Sequence, residues 1–332
     1  MKKWLVIALI VSLMASVLTG CSQPAPAAAP APAAPAAAEA KVYKVAYIAR
    51  AQADSFAAWL ANAVIEEAAK YDNIKLDVFD GQANDDTENG LIENAITNKY
   101  DVIIVQPNNG EAQRPYVEKA VAAGIKVITT NARISGIVGS SSVDADPYAQ
   151  AKVNCDVAIS QIPQGANVVV LKGPPGNFHA DARRDSWAKE FFAKRPDVKI
   201  VGEEIANWNK DEAMNYMETW VQANDKIDAI IAMNDNMAAG AIEVVKDNPK
   251  YKGILAYGVD GTAEAALLIE AGLMTSTSLQ SAYDLATSIL DTANKLATGA
   301  EKEINMDIDC PLITKDNVQK YIEMHKKAGA IK

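Results

Sequence analysis

Two unbroken apolar runs, Val102-Ile-Ile-Val105 and Val168-Val-Val-Leu171, constrain the fold more than any other feature of the chain. A strand that buries one face alternates apolar and polar residues, whereas an unbroken run belongs to a strand covered on both faces. Each run sits in a repeated pattern of β-rich apolar run, polar turn and a stretch with apolar residues at helical spacing. In the first part of the chain, strands are predicted over 42–48, 75–79, 102–105 and 126–130, and helices over 57–70, 85–97 and 111–122. From residue 166 onward, strands are predicted over 166–171, 198–205, 229–233, 254–257 and 275–279, with helices over 180–194, 212–223, 237–246, 263–271 and 284–296. This alternation predicts an α/β fold of doubly wound parallel sheets with helices on both faces. The stretch Asp101-Val-Ile-Ile-Val-Gln-Pro-Asn108 is similar to Asp228-Ala-Ile-Ile-Ala-Met-Asn234. The similarity fits two lobes wound alike, or else reflects what any two buried strands share.

The first forty residues carry a different message. Lys2 and Lys3, the apolar stretch 4–17 and Leu18-Thr-Gly-Cys21 have the form of a lipoprotein export signal over 1–20, with lipidation expected at Cys21. An ordinary secretory signal with an incidental Cys21 is the alternative. Residues 21–40 are almost wholly Ala and Pro, a composition suited to an extended tether rather than a core. The expected location is therefore the extracytoplasmic cell envelope, with membrane contact through the lipid anchor only. A formal charge of -10 and the lack of basic runs argue against nucleic acid or anionic lipid as a partner. Beyond Cys21 the cysteines are Cys155 and Cys310, read as buried thiols with pairing left open. The two histidines, His179 and His325, and the absence of CxxC, HExxH or DxDxDG spacing give no support for a metal site or a cofactor.

The chemistry-bearing residues fall just after predicted strands: Asp54, Phe56, Asn131, Asn177, His179, Arg183, Trp208, Asn234, Asp260 and Gln280. Carboxylates accept from hydroxyls, guanidinium groups donate to them and amides do both. Aromatic rings stack on the apolar faces of a sugar ring. Together these groups describe a pocket for a pyranose or cyclitol. Bland roles compete for several of them. Asp260 and Asn234 suit a turn or helix cap, one of Arg183 and Arg184 suits solvent, His179 suits either a neutral hydrogen-bonding role or the surface, and Trp59 suits core packing.

The segment Leu171-Lys-Gly-Pro-Pro-Gly-Asn-Phe-His-Ala-Asp-Ala-Arg183, with Asn234-Asp235, Gly258-Val-Asp-Gly-Thr262 and Asp54-Ser-Phe56, resembles the galactose/glucose-binding and ribose-binding proteins of sugar ABC importers. The resemblance implies the type I periplasmic binding fold, two doubly wound parallel-sheet lobes joined by a three-strand hinge. It places an N-terminal lobe at 41–143 plus 281–308 and a C-terminal lobe at 144–280 plus 309–332, with crossings near Val143, Gln280 and Asp309. It further implies that Asp54, Phe56 and Asn131 face the ligand from the first lobe and that Asn177, His179, Arg183, Trp208, Asn234 and Asp260 do so from the second. Phe56 and Trp208 would sandwich the ring, and Gln280 would sit at a hinge crossing. The galactose/glucose relatives carry histidine and aspartate where this chain has Asn177 and His179, and asparagine where it has Gln280; ribose relatives carry Asp-Arg at Asn131-Ala132. The ligand is accordingly left as an aldose, a furanose or an inositol. The implied activity is capture of a monosaccharide or cyclitol by a monomer that closes like a hinge and presents it to ABC permease subunits. A receptor for a sugar-like signal, acting through a chemoreceptor or sensor kinase, is the alternative. An enzyme is disfavoured because no G-x-S-x-G, phosphate-binding loop or G-x-G-x-x-G is present.

Overall fold

In the computed structural model, which describes residues 41–332, the repeated strand and helix pattern forms two six-stranded sheets. The export signal, the lipidation call at Cys21 and the Ala/Pro-rich stretch lie outside the described residues. The first sheet begins with β1 (Tyr43–Ala49), α1 (Ser55–Ala68), β2 (Ile74–Asp80), α2 (Asp85–Thr97), β3 (Val102–Val105), α3 (Gly110–Ala122), β4 (Lys126–Thr129) and β5 (Ser140–Ala145). Next come α4 (Pro147–Gln161), β6 (Asn167–Lys172), α5 (Phe178–Ser186), β7 (Lys199–Ile205), α6 (Lys210–Ala223), β8 (Ala229–Ala232), α7 (Asp235–Val245), β9 (Leu255–Asp260), α8 (Ala263–Glu270) and β10 (Ser276–Leu279). The chain ends with α9 (Ala282–Thr298), β11 (Asn305–Ile308), β12 (Leu312–Thr314) and α10 (Val318–Lys327).

The strand orders are β2-β1-β3-β4-β5-β11 and β7-β6-β8-β9-β10-β12, the same winding twice. All neighbours are parallel except β12, which runs antiparallel to β10. The internal similarity noted above marks equivalent strands. Asp101 at the start of β3 accepts from the Lys44 N–H of β1 at 2.8 Å, and Asp228 at the start of β8 accepts from the Asn167 N–H of β6 at 2.9 Å. In both sheets an acid therefore pins the register beside the central strand.

The apolar runs behave as strands covered twice. Val102 and Ile104 enter the core beneath α1 and α9, while Ile103 and Val105 enter the one on the opposite face. Fully burying such side chains contributes about 1.5–3 kcal/mol each. The chain passes between sheets three times: after Ala145 into α4, which packs on β9 and β10; after Leu279 into α9, which packs on β3, β4 and β5; and after Ile308 into β12. The carboxyl ends of the first strands in each sheet face one another across the resulting crevice, and in doubly wound sheets ligands bind beyond strand carboxyl ends where the winding reverses.

Candidate functional site between the lobes

At the reversal points the loops after β1 and β6 lead directly into helix caps. Asp54 caps α1, its Oδ1 accepting from the Ala57 N–H at 2.9 Å, while its Oδ2 pairs with Arg50 Nη2 at 2.9 Å. Asn177 caps α5 through Oδ1, which accepts from the N–H groups of His179 and Ala180 at 3.0 and 3.2 Å. Asn234 caps α7, its Oδ1 accepting from the Met237 N–H at 2.9 Å. The bland role thus holds for Asn234, yet capping uses only its oxygen. Asp260 does not cap α8, because Thr262 does.

These residues surround a small, tight cavity lined by Arg50, Asp54, Phe56, Asn131, Asn177, His179, Arg183, Trp208, Asn234 and Asp260. The structure therefore brings together nine of the residues singled out in the sequence, the tenth wall residue being Arg50. Gln280 is not part of the wall. It is buried behind Asp260, donating to Asp260 Oδ1 at 3.5 Å and accepting from Gln150 Nε2 at 2.8 Å. Arg184 points elsewhere and pairs with Glu203. Trp59 lies outside the cavity, edge-on to Phe56 at 5.8 Å and lining a separate groove with His325.

Several wall residues adopt backbone conformations that cost energy. Asn131 has φ 40°, Trp208 φ 63° and Asp260 φ 123°. Left-handed conformations are unusual for residues with a side chain and concentrate at functional sites. Trp208 has a further requirement: its indole lies against the backbone of Gly173, where a Cβ would come within 2.2 Å of Cζ2. The Arg183 guanidinium carbon lies 5.6 Å from the Trp208 ring centroid.

Arg183 is held by its surroundings. Its Nε and Nη2 donate to Gln150 Oε1 at 3.0 and 2.8 Å, Nη1 donates to the Met233 carbonyl at 2.8 Å, and Nη2 donates to His179 Nδ1 at 3.2 Å. Since Nδ1 accepts, the His179 proton sits on Nε2 and is donated to Asp144 at 2.9 Å. Burial lowers the His179 pKa, with Asp144 opposing and Arg183 assisting, so the ring stays neutral. Burial also works against an ionised Asp144, but His179, Arg133 and backbone N–H donors outweigh it and hold the carboxyl below its usual range. With His179 neutral, Arg133 and the donated hydrogen bonds carry that effect. Burial raises Asp260 well above its ordinary value; Arg183, 3.7 Å away, opposes this, and neighbouring Asp235 adds to it. Asp235, buried beneath the site, is pushed up to about 7.

The two lobes meet through polar contacts at the cavity rim. Besides the His179–Asp144 bond, Asn177 Nδ2 donates to the Asn108 carbonyl at 3.1 Å and the Gly110 N–H donates to the Gly176 carbonyl at 3.2 Å. Arg50, Asp144 and Gln150 are not among the residues that the sequence pattern singles out. Arg50 had a signal, since it follows β1 directly and precedes Asp54 by one helical turn. Asp144 and Gln150 had none, because β5 and α4 carry no apolar pattern.

Cys155 is buried and Cys310 partly so, and both are free thiols. Among the described residues no cluster of His, Cys, Asp or Glu could hold a metal ion, and no helix is long and apolar enough to cross a membrane.

Two like-wound lobes enclosing a small polar cavity at their switch points define a protein that grips a small solute between domains. The chain belongs to the periplasmic binding protein domain family, whose pattern it matches over residues 45–301. It is 30% identical over 257 residues to the xylitol-binding protein of Mycolicibacterium smegmatis, covering 77% of this chain and 73% of that protein. It is also 30% identical over 260 residues to the D-apiose import binding protein of Paraburkholderia graminis, covering 76% of this chain and 81% of that one. Among solved structures, the Caulobacter myo-inositol binding protein bound to myo-inositol superposes with a TM-score of 0.78 at 27% identity, covering 85% of this chain and 97% of its own. These relatives are substrate-binding proteins rather than enzymes.

Proposed function

We propose that the protein captures a neutral monosaccharide or polyol outside the cytoplasmic membrane, closes its lobes on it and delivers it to the permease of an ABC importer. The observation that carries this reading is the cavity itself, in which carboxylate, amide and guanidinium groups from both sheets stand with Phe56 and Trp208 around one small space. Neither lobe alone offers a full set of hydroxyl partners, so the ligand favours the closed arrangement. Three relatives named for xylitol, D-apiose and myo-inositol support a small polyhydroxyl ligand. In this reading Cys21 carries the lipid that tethers the protein to the cell envelope, the lobes divide near Val143, Gln280 and Asp309, and the protein acts as a monomer.

The reading is tested by isothermal titration against a panel of pentitols, inositols, pentoses and hexoses. Trp208→Ala and Asp260→Ala are each expected to weaken binding by about 1–3 kcal/mol, the cost of an unpaired polar group or a lost ring contact. Full-strength binding in both variants would remove the cavity from consideration. Ligand-dependent association with a permease, as opposed to a chemoreceptor or sensor kinase, separates transport from signalling.

A further inference from the structure

The two guanidinium groups in the cavity wall are unequal in what they can give a ligand. Of the five N–H bonds of Arg183, four are donated to Gln150, Met233 and His179, which leaves one. Arg50 is 5% exposed, and its guanidinium has one protein partner among the described residues, the Asp54 carboxylate at 2.9 Å. Most of its donors are therefore available to the space it lines. Asp54 spends Oδ1 on the α1 cap and keeps lone pairs on Oδ2.

Each lobe thus supplies one guanidinium beside one carboxylate: Arg50 with Asp54 from the loop after β1, and Arg183 with Asp260, 3.7 Å apart, from the second sheet. The Arg50–Asp54 pair fits two adjacent hydroxyls, because the carboxylate accepts their protons while the guanidinium donates to their oxygens; in the second pair Arg183 donates its one remaining N–H to one hydroxyl while the Asp260 carboxyl bonds its neighbour. Opposite charges within the Arg50–Asp54 pair leave no surplus there for an ionised ligand to balance, and an added carboxylate would meet the carboxyl of Asp54 or Asp260.

We propose that Arg50 is the first lobe's principal hydrogen-bond donor to the ligand, and that the cavity takes a neutral, compact polyol with two vicinal diols, one held by Arg50 and Asp54 and the other by Arg183 and Asp260. The proposal rests on the polyhydroxyl reading given above and sharpens it.

The test is titration calorimetry of the protein and its Arg50→Ala and Arg50→Lys variants with xylitol, myo-inositol and allose, their monodeoxy analogues, and the matching aldonates and uronates. Arg50→Ala is expected to weaken the best neutral ligand by about 10–100-fold, the usual consequence of losing a hydrogen bond to a charged group. That penalty should vanish for the one deoxy analogue that lacks the hydroxyl Arg50 holds. Arg50→Lys keeps the ion pair with Asp54 but not the planar fork, so it should lose less than the alanine variant and still bind measurably worse than the native protein. It also decides the matter if the alanine variant does not fold. If the native protein binds a neutral polyol and both variants bind within about threefold of it, the assignment of Arg50 is overturned while the polyol reading stands. Tighter binding of an aldonate or uronate overturns the neutral class, and failure of the native protein to bind any panel member overturns both readings.

Discussion

Gly173 follows β6 at the point where the Trp208 indole crosses the backbone, and a methyl group there would stand 2.2 to 2.5 Å from three ring atoms. Neither side yields easily: one is backbone, the other a planar ring that forms a cavity wall. Gly173→Ala is expected to push the ring out of place, costing about 1–3 kcal/mol of overpacking strain, and to weaken ligand binding further because the stacking surface is lost. Unchanged affinity alongside normal folding would show that the indole is not needed where it lies. A second residue-scale expectation concerns Glu88 in α2, whose side chain is buried with Oε2 accepting from the Asn108 N–H at 3.0 Å and Oε1 without a partner. Burial pushes its carboxyl up to about 8. The folded state therefore keeps a proton that the unfolded chain releases near the ordinary glutamate value, about 4.3. Its contribution is fully present below that value and is lost as pH rises toward about 8. Glu88→Gln should leave thermal stability at pH 4 almost unchanged and raise it at pH 8; an equal shift at both would show that folding does not change the Glu88 pKa.

At the scale of elements, α4 shows how a helix can be essential to the fold and silent in the sequence. Its buried face includes Gln150, Asn154 and Cys155, so no apolar stripe announces it. Asn154 joins α4 to two strands, donating to the Gly258 carbonyl at 2.9 Å and accepting from Ser276 Oγ at 2.7 Å. Asn154→Leu is expected to leave both groups buried without partners, at about 1–3 kcal/mol each, visible as a lowered melting temperature. A melting point equal to that of the native protein would contradict this role. The same cause hid β5, whose Ser-Ser-Ser-Val-Asp-Ala sequence is buried throughout. Ser141 accepts from the Ile304 N–H and Ser142 donates to Asn305 Oδ1, so these side chains bond rather than pack as hydrocarbon. β11, β12 and α10, late and short, also fell outside the repeated pattern. Strands β3, β6 and β8 were legible because burial on two faces leaves an apolar run, whereas the edge strands β2 and β7 are only partly buried and mix charged with apolar residues. The wall residues were legible because they follow those runs, with the family resemblance assigning their roles. The supporting residues Asp144 and Gln150 lie on elements with no such run, and Gln280 shares a crossing with the site without reaching it.

For the whole molecule, the contact that joins the two lobes beside the cavity is His179 on Asp144, between α5 of one and β5 of the other. In the hinge-closure reading, opening returns the imidazole to water, where its pKa is about 6.5. Closure buries it between Asp144, which favours the cation, and Arg183 with Arg133, which oppose it; burial is the largest influence and the pKa falls. A group whose pKa is lowered by closure supports the closed form above its open-state value and withdraws that support as pH drops below it. Closure on a ligand should therefore release a proton below about pH 6.5, and His179 should weaken binding by up to about tenfold per pH unit there. Asp260 works in the opposite sense, since burial raises its pKa and closure favours its protonated form at low pH. The two effects are separated by comparing the native protein with His179→Gln, which retains a donor for Asp144 and an acceptor for Arg183 but does not titrate. Titrations at pH 7.5 and 5.5 are expected to show a smaller loss of affinity on acidification in the variant than in the native protein. If the two lose affinity in parallel, His179 does not change its surroundings when ligand binds, and the lobes do not close across it.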